Sequence, residues 1–285
     1  MSIFETVSLV FNGVLIAPIL NLLLAIHKVF ETIGAPGSLG LSIIGLTVIV
    51  RAILWPLTAK QLESAKKMAD LRPKLEEIKR RHGSDKIRLQ QEHLALYKEH
   101  GVNPASGCLP LLLQIPIFIA LYQVLIQLLS SQTNGDVLVK INQVAYHPSL
   151  KISSSLDSSF LGFNLAQKPA EWSQVGVVLL AIPVITGLLQ FVQSKMMAPK
   201  KESSQSLTKE KAGKGKEEEL MTQVQTQMTF LMPVMIAVFS YGFPLGLSLY
   251  WNTFTAFGII QQYLVSGFGG LVDVIPVLKT HGRRN

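Results

Sequence analysis

Five long apolar segments, separated by polar stretches, dominate the pattern of this sequence. They cover residues 38–57, 107–129, 173–194, 223–243 and 246–266. Each holds about 20 residues, which at 1.5 Å per helical residue matches the 30 Å hydrocarbon core of a bilayer. The pattern predicts an all-α polytopic membrane protein with a core of five transmembrane helices.

A sixth apolar stretch lies nearer the N-terminus, and it is less regular. Polar or helix-disturbing residues interrupt residues 8–26, and a more polar stripe that includes Asn21, His27 and Lys28 marks its later part. We interpret residues 1–37 as an N-terminal extracytoplasmic segment in which about 13–30 form an amphipathic helix lying in the membrane interface. An additional membrane span is the alternative.

Residues 58–106 form the most charged section of the chain, with eleven Lys and Arg and seven Asp and Glu. Two apolar stripes recur there at helical spacing, one beginning at Leu62 and the other at Ile87, and Gly83 separates them. Such stripes indicate amphipathic helices. The section is predicted to be a helical hairpin outside the membrane, which either receives partners or is only a solvated element.

The other polar stretches lack helical periodicity. Residues 130–172 contain the runs SSQTNGD and KISSSLDSS, which favour an irregular exposed loop. Residues 195–222 form a charged linker, and the low-complexity part at 197–219 is predicted to be disordered. Residues 267–285 form a short tail.

The distribution of positive charge predicts an orientation. The net charge is +8, but 21 of the 26 Lys and Arg lie in the hairpin, the linker and the tail, on one side of a five-span protein. The positive-inside rule places these segments in the cytoplasm, so that the N-terminus lies outside and the C-terminus inside. Because the charge follows the loops of a chain with a mean hydropathy of +0.36, it does not indicate sequence-specific binding of nucleic acid.

Arg51 is the most informative single residue, because it lies within an otherwise apolar span. A central arginine costs about 2.5–3.5 kcal/mol on insertion scales, so a charge at such a position is a functional candidate. Thr47 lies one helical turn earlier and shares its face. A structural alternative is snorkelling, since Arg51 lies only about 9 Å inside the end of the span at Leu57.

Uncharged polar residues occur at similar depth in the other spans, among them Gln114 and Gln190. No acidic residue occurs in any of the five spans. We therefore expect several polar groups to converge on a hydrated space that opens to the cytoplasm, with Arg51 as an unpartnered cation that attracts an acidic group from another molecule.

The sequence contains no constellation typical of an enzyme or a metal site. It has one cysteine, Cys108, and its histidines are isolated and lie outside the spans. The motifs HExxH and GxSxG and the phosphate-binding P-loop are absent. No cleaved signal peptide is expected, because the N-terminus lacks a basic region and an A-x-A-like site. We predict a protein that is not an enzyme and uses no cofactor or metal.

Several ordered segments carry a family resemblance. The segments IVRAILWPLT, KMADLRPKLEEIKRR, LYKEHGVNPASGCLPLLLQIPIFIALYQVL, FLMPV, FPLGLSLYW and QQY occur in this order. Together they resemble the YidC family of membrane protein insertases over about residues 13–130 and 173–266. The form is short, because the sequence shows neither a large extracytoplasmic domain nor a lipid-modified cysteine.

The resemblance implies a five-helix core with a hydrophilic groove open to the cytoplasm and the lipid, in a bacterial plasma membrane. Arg51 matches the family's groove arginine, and Thr47, Gln114, Tyr250 and Trp251 match positions that line or flank the substrate path; the depth of Gln190 adds it to this set. The implied function is the insertion and folding of other membrane proteins, alone or with the Sec translocon.

The resemblance implies nascent membrane proteins and the bilayer as partners. The Sec translocon, the signal recognition particle pathway and the ribosome are further candidates. Strong ribosome docking is not expected, because the tail carries only Lys279, Arg283 and Arg284 as basic residues. Two other functions stay open on the residues alone. One is a small-solute transporter or channel, although no internal repeat is visible, and the other is an assembly chaperone whose hairpin binds partners.

Overall fold

The computed structural model describes residues 3–82, 85–102, 109–130, 135–153, 156–198 and 216–275, and most of these residues are helical. The helices are α1 (Ile3–Phe11), α2 (Ala17–Thr32), α3 (Ser38–Ile53), α4 (Trp55–Asp70), α5 (Arg72–His82), α6 (Lys86–Glu99), α7 (Leu109–Ser130), α8 (Gly135–Val144), α9 (Trp172–Val175), α10 (Ala181–Met197), α11 (Lys216–Gly242) and α12 (Leu245–Ser266). A π-helical stretch, Asn12–Ile16, joins α1 to α2.

A small antiparallel hairpin interrupts the helices. Its strands are β1 (Ser159–Phe160) and β2 (Phe163–Asn164), with Phe160 opposite Phe163. Short 3-10 helices cover Pro148–Leu150, Pro169–Glu171, Val177–Leu180 and Gly269–Asp273. The chain is therefore helical in class, as the sequence predicts, with one two-stranded element between α8 and α9.

The chain divides into two compact units. The first comprises Met1–Ile53, Leu111–Thr186 and Ala237–Phe254, and the second comprises Leu54–Pro110, Gly187–Ile236 and Thr255–Asn285. The core of the first unit forms where α2, α3 and α7 bury aliphatic side chains that recur every three or four residues. These side chains are Leu20, Leu23, Leu24, Leu39, Ile43, Leu46, Leu121, Leu125 and Leu128.

The second unit contains the charged hairpin. Helices α5 and α6 pack against each other, and the Asp85 carboxylate caps α6 by accepting a hydrogen bond of 3.0 Å from the backbone N–H of Arg88. Residues 58–106, for which the sequence predicts a helical hairpin, contain most of α4 and all of α5 and α6 among the described residues, and Leu71 separates α4 from α5.

The first predicted span, residues 38–57, is not one straight helix. α3 ends at Ile53 and α4 begins at Trp55, with Pro56 in the first turn of α4. Proline lacks a backbone N–H and is favoured in the first turn of a helix, so it restarts the helix at this point. The two helices are long and apolar enough to cross a membrane only if the bent pair is counted as one span.

Two loop predictions need correction. Helix α8 lies within residues 130–172, which the sequence predicted to be irregular; its ten residues bury Ile141 and carry Asp136 in the first turn, where a negative charge is favourable. The predicted linker at 195–222 is helical from Lys216 onward and, at its start, as far as Met197. The disorder predicted for 197–219 falls largely outside the described residues.

The N-terminal helix carries its polar stripe for a reason that the sequence did not show. The Asn21 side chain donates a hydrogen bond of 3.0 Å to the carbonyl of Val144 and accepts one of 2.7 Å from the N–H of Tyr146. Asn21 and His27 are both buried. Asn21 therefore binds protein groups and His27 is buried, so neither marks a face turned to lipid headgroups.

By length and hydropathy, the described residues contain two helices able to cross a membrane, Glu5–Thr32 and Val177–Met197, or three with the bent pair. Two further apolar stretches, Gln114–Leu129 and Thr229–Gly242, lie within the longer helices α7 and α11. The candidate span Glu5–Thr32 contains α2. This helix is therefore long and apolar enough for the alternative stated above, an additional membrane span in place of an interfacial helix.

Candidate functional site

Arg51 is buried in the last turn of α3, where only 7% of it is exposed. Its guanidinium donates a hydrogen bond of 2.7 Å to the backbone carbonyl of Phe254 on α12. The same group lies 3.5 Å from the centroid of the Phe254 ring, in cation–π contact. The side chain therefore reaches across to α12 inside the first unit.

This geometry refines one expectation and disfavours another. The sequence predicted a cation without a carboxylate partner in the spans, and the structure adds that the neutral Phe254 carbonyl and ring hold the guanidinium. Snorkelling requires the charged end to leave the protein for the interface. With 7% exposure, Arg51 instead stays among protein groups.

Thr47 lies one turn before Arg51 and is almost fully buried. Its hydroxyl donates a hydrogen bond of 2.6 Å to the carbonyl of Ile43 on the same helix. Threonine commonly satisfies its hydroxyl in this way within apolar surroundings. Thr47 thus contributes a polar oxygen next to Arg51 without an unsatisfied donor.

Gln114 and Tyr250 form a second polar contact in the same unit. The Gln114 amide donates a hydrogen bond of 3.0 Å to the Tyr250 hydroxyl, and only 2% of Tyr250 is exposed. The Tyr250 ring lies 5.9 Å from the Phe254 ring. Phe254 therefore connects the Arg51 contact with the Gln114–Tyr250 contact.

Aromatic rings surround this connection. Phe118 on α7 lies 6.4 Å from the Tyr250 ring and 5.3 Å, edge to face, from Trp251. Offset and edge-to-face pairs at these distances are favourable, each by about 0.5–1.5 kcal/mol beyond area burial. The polar contacts therefore sit against rigid rings, which fix their positions.

The structure brings five of the six predicted residues into one unit: Thr47, Arg51, Gln114, Tyr250 and Trp251. Gln190 lies half-buried on α10 in the second unit. Its assignment to the site stays a prediction.

Sequence reasoning missed Phe254 and Phe118. Phe254 lies four residues after Tyr250 and three after Trp251, so helical spacing alone places the three rings on neighbouring positions of α12. That spacing was a usable signal. The partner of Arg51 could not be identified from the sequence, because it is a backbone carbonyl and every residue has one.

A chain of three buried hydroxyls joins α10, α11 and α12 within the first unit. The Ser240 oxygen lies 3.3 Å from that of Thr186 and 3.1 Å from that of Ser248. Each of the three residues is at most 3% exposed. These contacts tie α10, α11 and α12 together through buried side-chain oxygens.

Comparison with known proteins identifies relatives along most of the chain. The family model of the 60Kd inner membrane protein matches residues 29–269. The chain is 31% identical to the membrane protein insertase YidC of Oceanobacillus iheyensis, over 90% of this chain and 84% of that protein. It is 33% identical to the protein of the same name from Fusobacterium nucleatum, over 80% of this chain and 86% of the relative.

A longer relative is matched over only part of its length. The chain is 33% identical to the membrane protein insertase YidC of Rickettsia canadensis over 82% of its own length, but it spans only 36% of that protein. The matched region nevertheless covers α3 to α12, which contain all of the site described above. The chain therefore belongs to the 60Kd inner membrane protein family, the family of the YidC membrane protein insertases.

Proposed function

We propose that this membrane protein insertase handles its substrates through a polar groove formed by Thr47, Arg51, Gln114, Tyr250 and Trp251. The observation that carries the proposal is a permanently charged guanidinium, 7% exposed, that is held by a neutral backbone carbonyl. A guanidinium stays protonated at all physiological pH values. It is therefore suited to recognise an acidic segment of a client protein.

The proposed step is an exchange of hydrogen-bond acceptors. A carboxylate on the client replaces the Phe254 carbonyl at Arg51, since a carboxylate is itself charged and can accept two parallel hydrogen bonds from one guanidinium. The Phe254 ring, 3.5 Å away, keeps the guanidinium oriented during the exchange. When the client moves on, the carbonyl takes its place again, so that the site resets without covalent chemistry or a cofactor.

The apolar part of the client follows a different path. While the acidic segment is held, an adjoining apolar segment partitions sideways into lipid, driven by about 25 cal/mol for each Å² of apolar surface removed from water. Exposed apolar side chains on α7, including Ile115 and Ile119, offer a surface along which such a segment can pass. Hydrophobic transfer thus supplies the driving force, and Arg51 supplies a transient hold.

We propose five spans, built from residues 38–57 (α3 with the first turn of α4), α7, α10, α11 and α12, with the charged hairpin in the cytoplasm. The distribution of Lys and Arg supports this orientation. The helix Glu5–Thr32 has two placements: in the interface it leaves the N-terminus outside, and as a span it moves the N-terminus inside. An N-terminal epitope tag, probed by antibody in intact spheroplasts, distinguishes them, and neither result changes the orientation of the five spans.

We also propose that the hairpin α5–α6 receives clients or their carriers. Ile87 and Leu94 on α6 are 73% and 48% exposed, so this helix presents apolar side chains that a client segment can contact. The candidate partners are nascent membrane proteins, the Sec translocon, the signal recognition particle pathway and the ribosome. Photo-crosslinkers at Leu94, with exposed Gln91 as the matched control, test the role: capture at 94 and not at 91 supports a receiving apolar face.

The insertion activity is tested with purified protein in liposomes. A small single-span client with an acidic translocated tail is added, and the tail is scored for protection from an external protease. Protection that depends on the protein supports the proposed function. Flux of a trapped small solute without client protection would favour a transporter instead.

A further inference from the structure

The tip of the β1–β2 hairpin carries an exposed leucine in a disfavoured backbone conformation. Leu161 has φ = +49° and is the one non-glycine residue with positive φ in the described part of the chain. Gly162 follows with φ = +84°, so the two residues form the tight connection between the strands. Asn, Asp and Gly are favoured where a hairpin turn needs positive φ at both positions. A leucine there is strained.

Leu161 is also the most solvent-accessible large apolar residue described, with 82% of its surface exposed. Neither backbone preference nor burial in this chain explains a leucine at the tip. The backbone strain at this exposed residue therefore points to a function for its side chain.

The surroundings of the hairpin define where this side chain lies. The neighbouring Phe160 ring packs against Gly37, just before α3, and Gly40 in the first turn of α3, where an added Cβ would overlap the ring. On the other side, the N–H groups of Leu245 and Gly246 at the start of α12 donate hydrogen bonds of 2.8 and 2.9 Å to the carbonyls of Gln167 and Leu165. The hairpin is thus fixed to the first turns of two helices.

Both first turns lie at the extracytoplasmic membrane surface in the proposed topology, and the inference rests on that topology. Leu161 is adjacent to Phe160, so its Cα is about 3.8 Å from a residue that packs on the first turn of α3. At this depth an outward-facing side chain meets the boundary between headgroups and acyl chains. Trp172, a residue type enriched at that boundary, is 39% exposed in the same unit.

We propose that Leu161 inserts into the outer leaflet and anchors the hairpin to lipid. Transfer of the apolar side chain from water into lipid is favourable, and the free energy of this transfer offsets the strain of the turn. Because the hairpin binds the starts of α3 and α12, the anchor holds these two helix ends at one depth in the membrane.

The test places an environment-sensitive NBD label at position 161. Leu161→Cys is made in the Cys108→Ser background, labelled, and reconstituted into phosphatidylcholine vesicles with or without a nitroxide on the fifth acyl carbon. Lys168→Cys, at an exposed polar position of the same segment, is the matched control. We expect blue-shifted emission and strong nitroxide quenching at 161, with neither effect at 168.

Two results overturn the lipid anchor. Emission at 161 that matches the control shows a water-exposed tip, and blue-shifted emission without nitroxide quenching shows a protein partner. The topology is checked separately, because a membrane-impermeant thiol reagent added outside should modify the cysteine at 168. Failure of that reaction contradicts the proposed orientation, whereas failure of the quenching alone contradicts only the anchor.

Discussion

Replacement of Arg51 by methionine separates the functional from the structural role of the charge. Methionine keeps most of the length and apolar stem of the side chain, but it removes the guanidinium and its hydrogen bond to the Phe254 carbonyl. We expect Arg51→Met to fold and to lose insertion of clients with acidic translocated segments. Arg51→Lys should keep part of the activity, since lysine retains the charge but lacks the planar fork.

The contacts of Arg51 set the expected changes in the free energy of unfolding and in client capture. The charged hydrogen bond contributes about 1.5–3 kcal/mol and the cation–π contact about 0.5–2 kcal/mol to the folded state. Burial of a cation in a span costs about 2.5–3.5 kcal/mol on insertion scales. These contributions nearly cancel, so the free energy of unfolding should change by no more than about 1–2 kcal/mol. Because the client carboxylate displaces the Phe254 carbonyl, capture loses only the difference between two charged hydrogen bonds of about 1.5–3 kcal/mol each. A difference of up to about 1.5 kcal/mol should reduce capture by up to about 10-fold.

The assay compares two clients that differ only in the translocated tail, one with Asp residues and the other with Asn at the same positions. Insertion is measured by protease protection in proteoliposomes, at client concentrations below saturation. Lys195→Met is the matched control, because Lys195 also lies over an aromatic ring, 4.6 Å from Phe230, but belongs to the second unit. The Lys195→Met variant should show the same ratio of Asp-client insertion to Asn-client insertion as the unmodified protein.

The electrostatic reasoning is refuted if Arg51→Met reduces insertion of the Asp and Asn clients equally. Such a result would assign Arg51 a packing role. Full activity of Arg51→Glu on the Asp client would also refute it, because two like charges at that site repel each other.

Three further substitutions test the packing of the fold. Ser240→Ala removes two interhelical hydroxyl contacts and should lower the free energy of unfolding in mixed micelles by about 1 kcal/mol; an unchanged value would mean that these contacts do not stabilise the helices. Gly40→Ala should lower the melting temperature because its Cβ overlaps the Phe160 ring, and Phe160→Ala in the same chain should restore part of the loss; no rescue contradicts the overlap. Gln61→Leu should raise the free energy of unfolding by about 1–3 kcal/mol, because its buried amide has no hydrogen-bond partner among the described residues; destabilisation would reveal a polar partner.

The helical class and the charged hairpin were predictable because they depend on local periodicity. Apolar runs of membrane-spanning length, and stripes every three or four residues, specify helices without knowledge of their neighbours. The bend at Leu54 was harder to predict from the sequence, since Pro56 is compatible with either a kink inside one helix or the first turn of another. Helix α8 was missed because ten residues give too short a pattern to outweigh the turn-forming residues around it.

The site was predictable in its residue types and not in its contacts. Arg51 stood out because a charge within an apolar run is costly whatever surrounds it. Its partner, the Phe254 carbonyl, comes from a residue 203 positions away, so only the packing of α3 against α12 could reveal it. The same holds for Asn21, whose polarity suggested a membrane surface until its contacts with Val144 and Tyr146 explained it.

The most direct test of the account is capture of a client at the proposed site while insertion is in progress. A photo-crosslinking residue replaces Trp251, and in a matched variant it replaces Val184, which is 59% exposed on α10. A client with an Asp-containing tail is stalled during insertion and irradiated. The account predicts crosslinks from position 251 to the segment next to the acidic residues, and their loss in the Arg51→Met background. Crosslinks from position 184 alone, or crosslinks from 251 that are unchanged without Arg51, would contradict it.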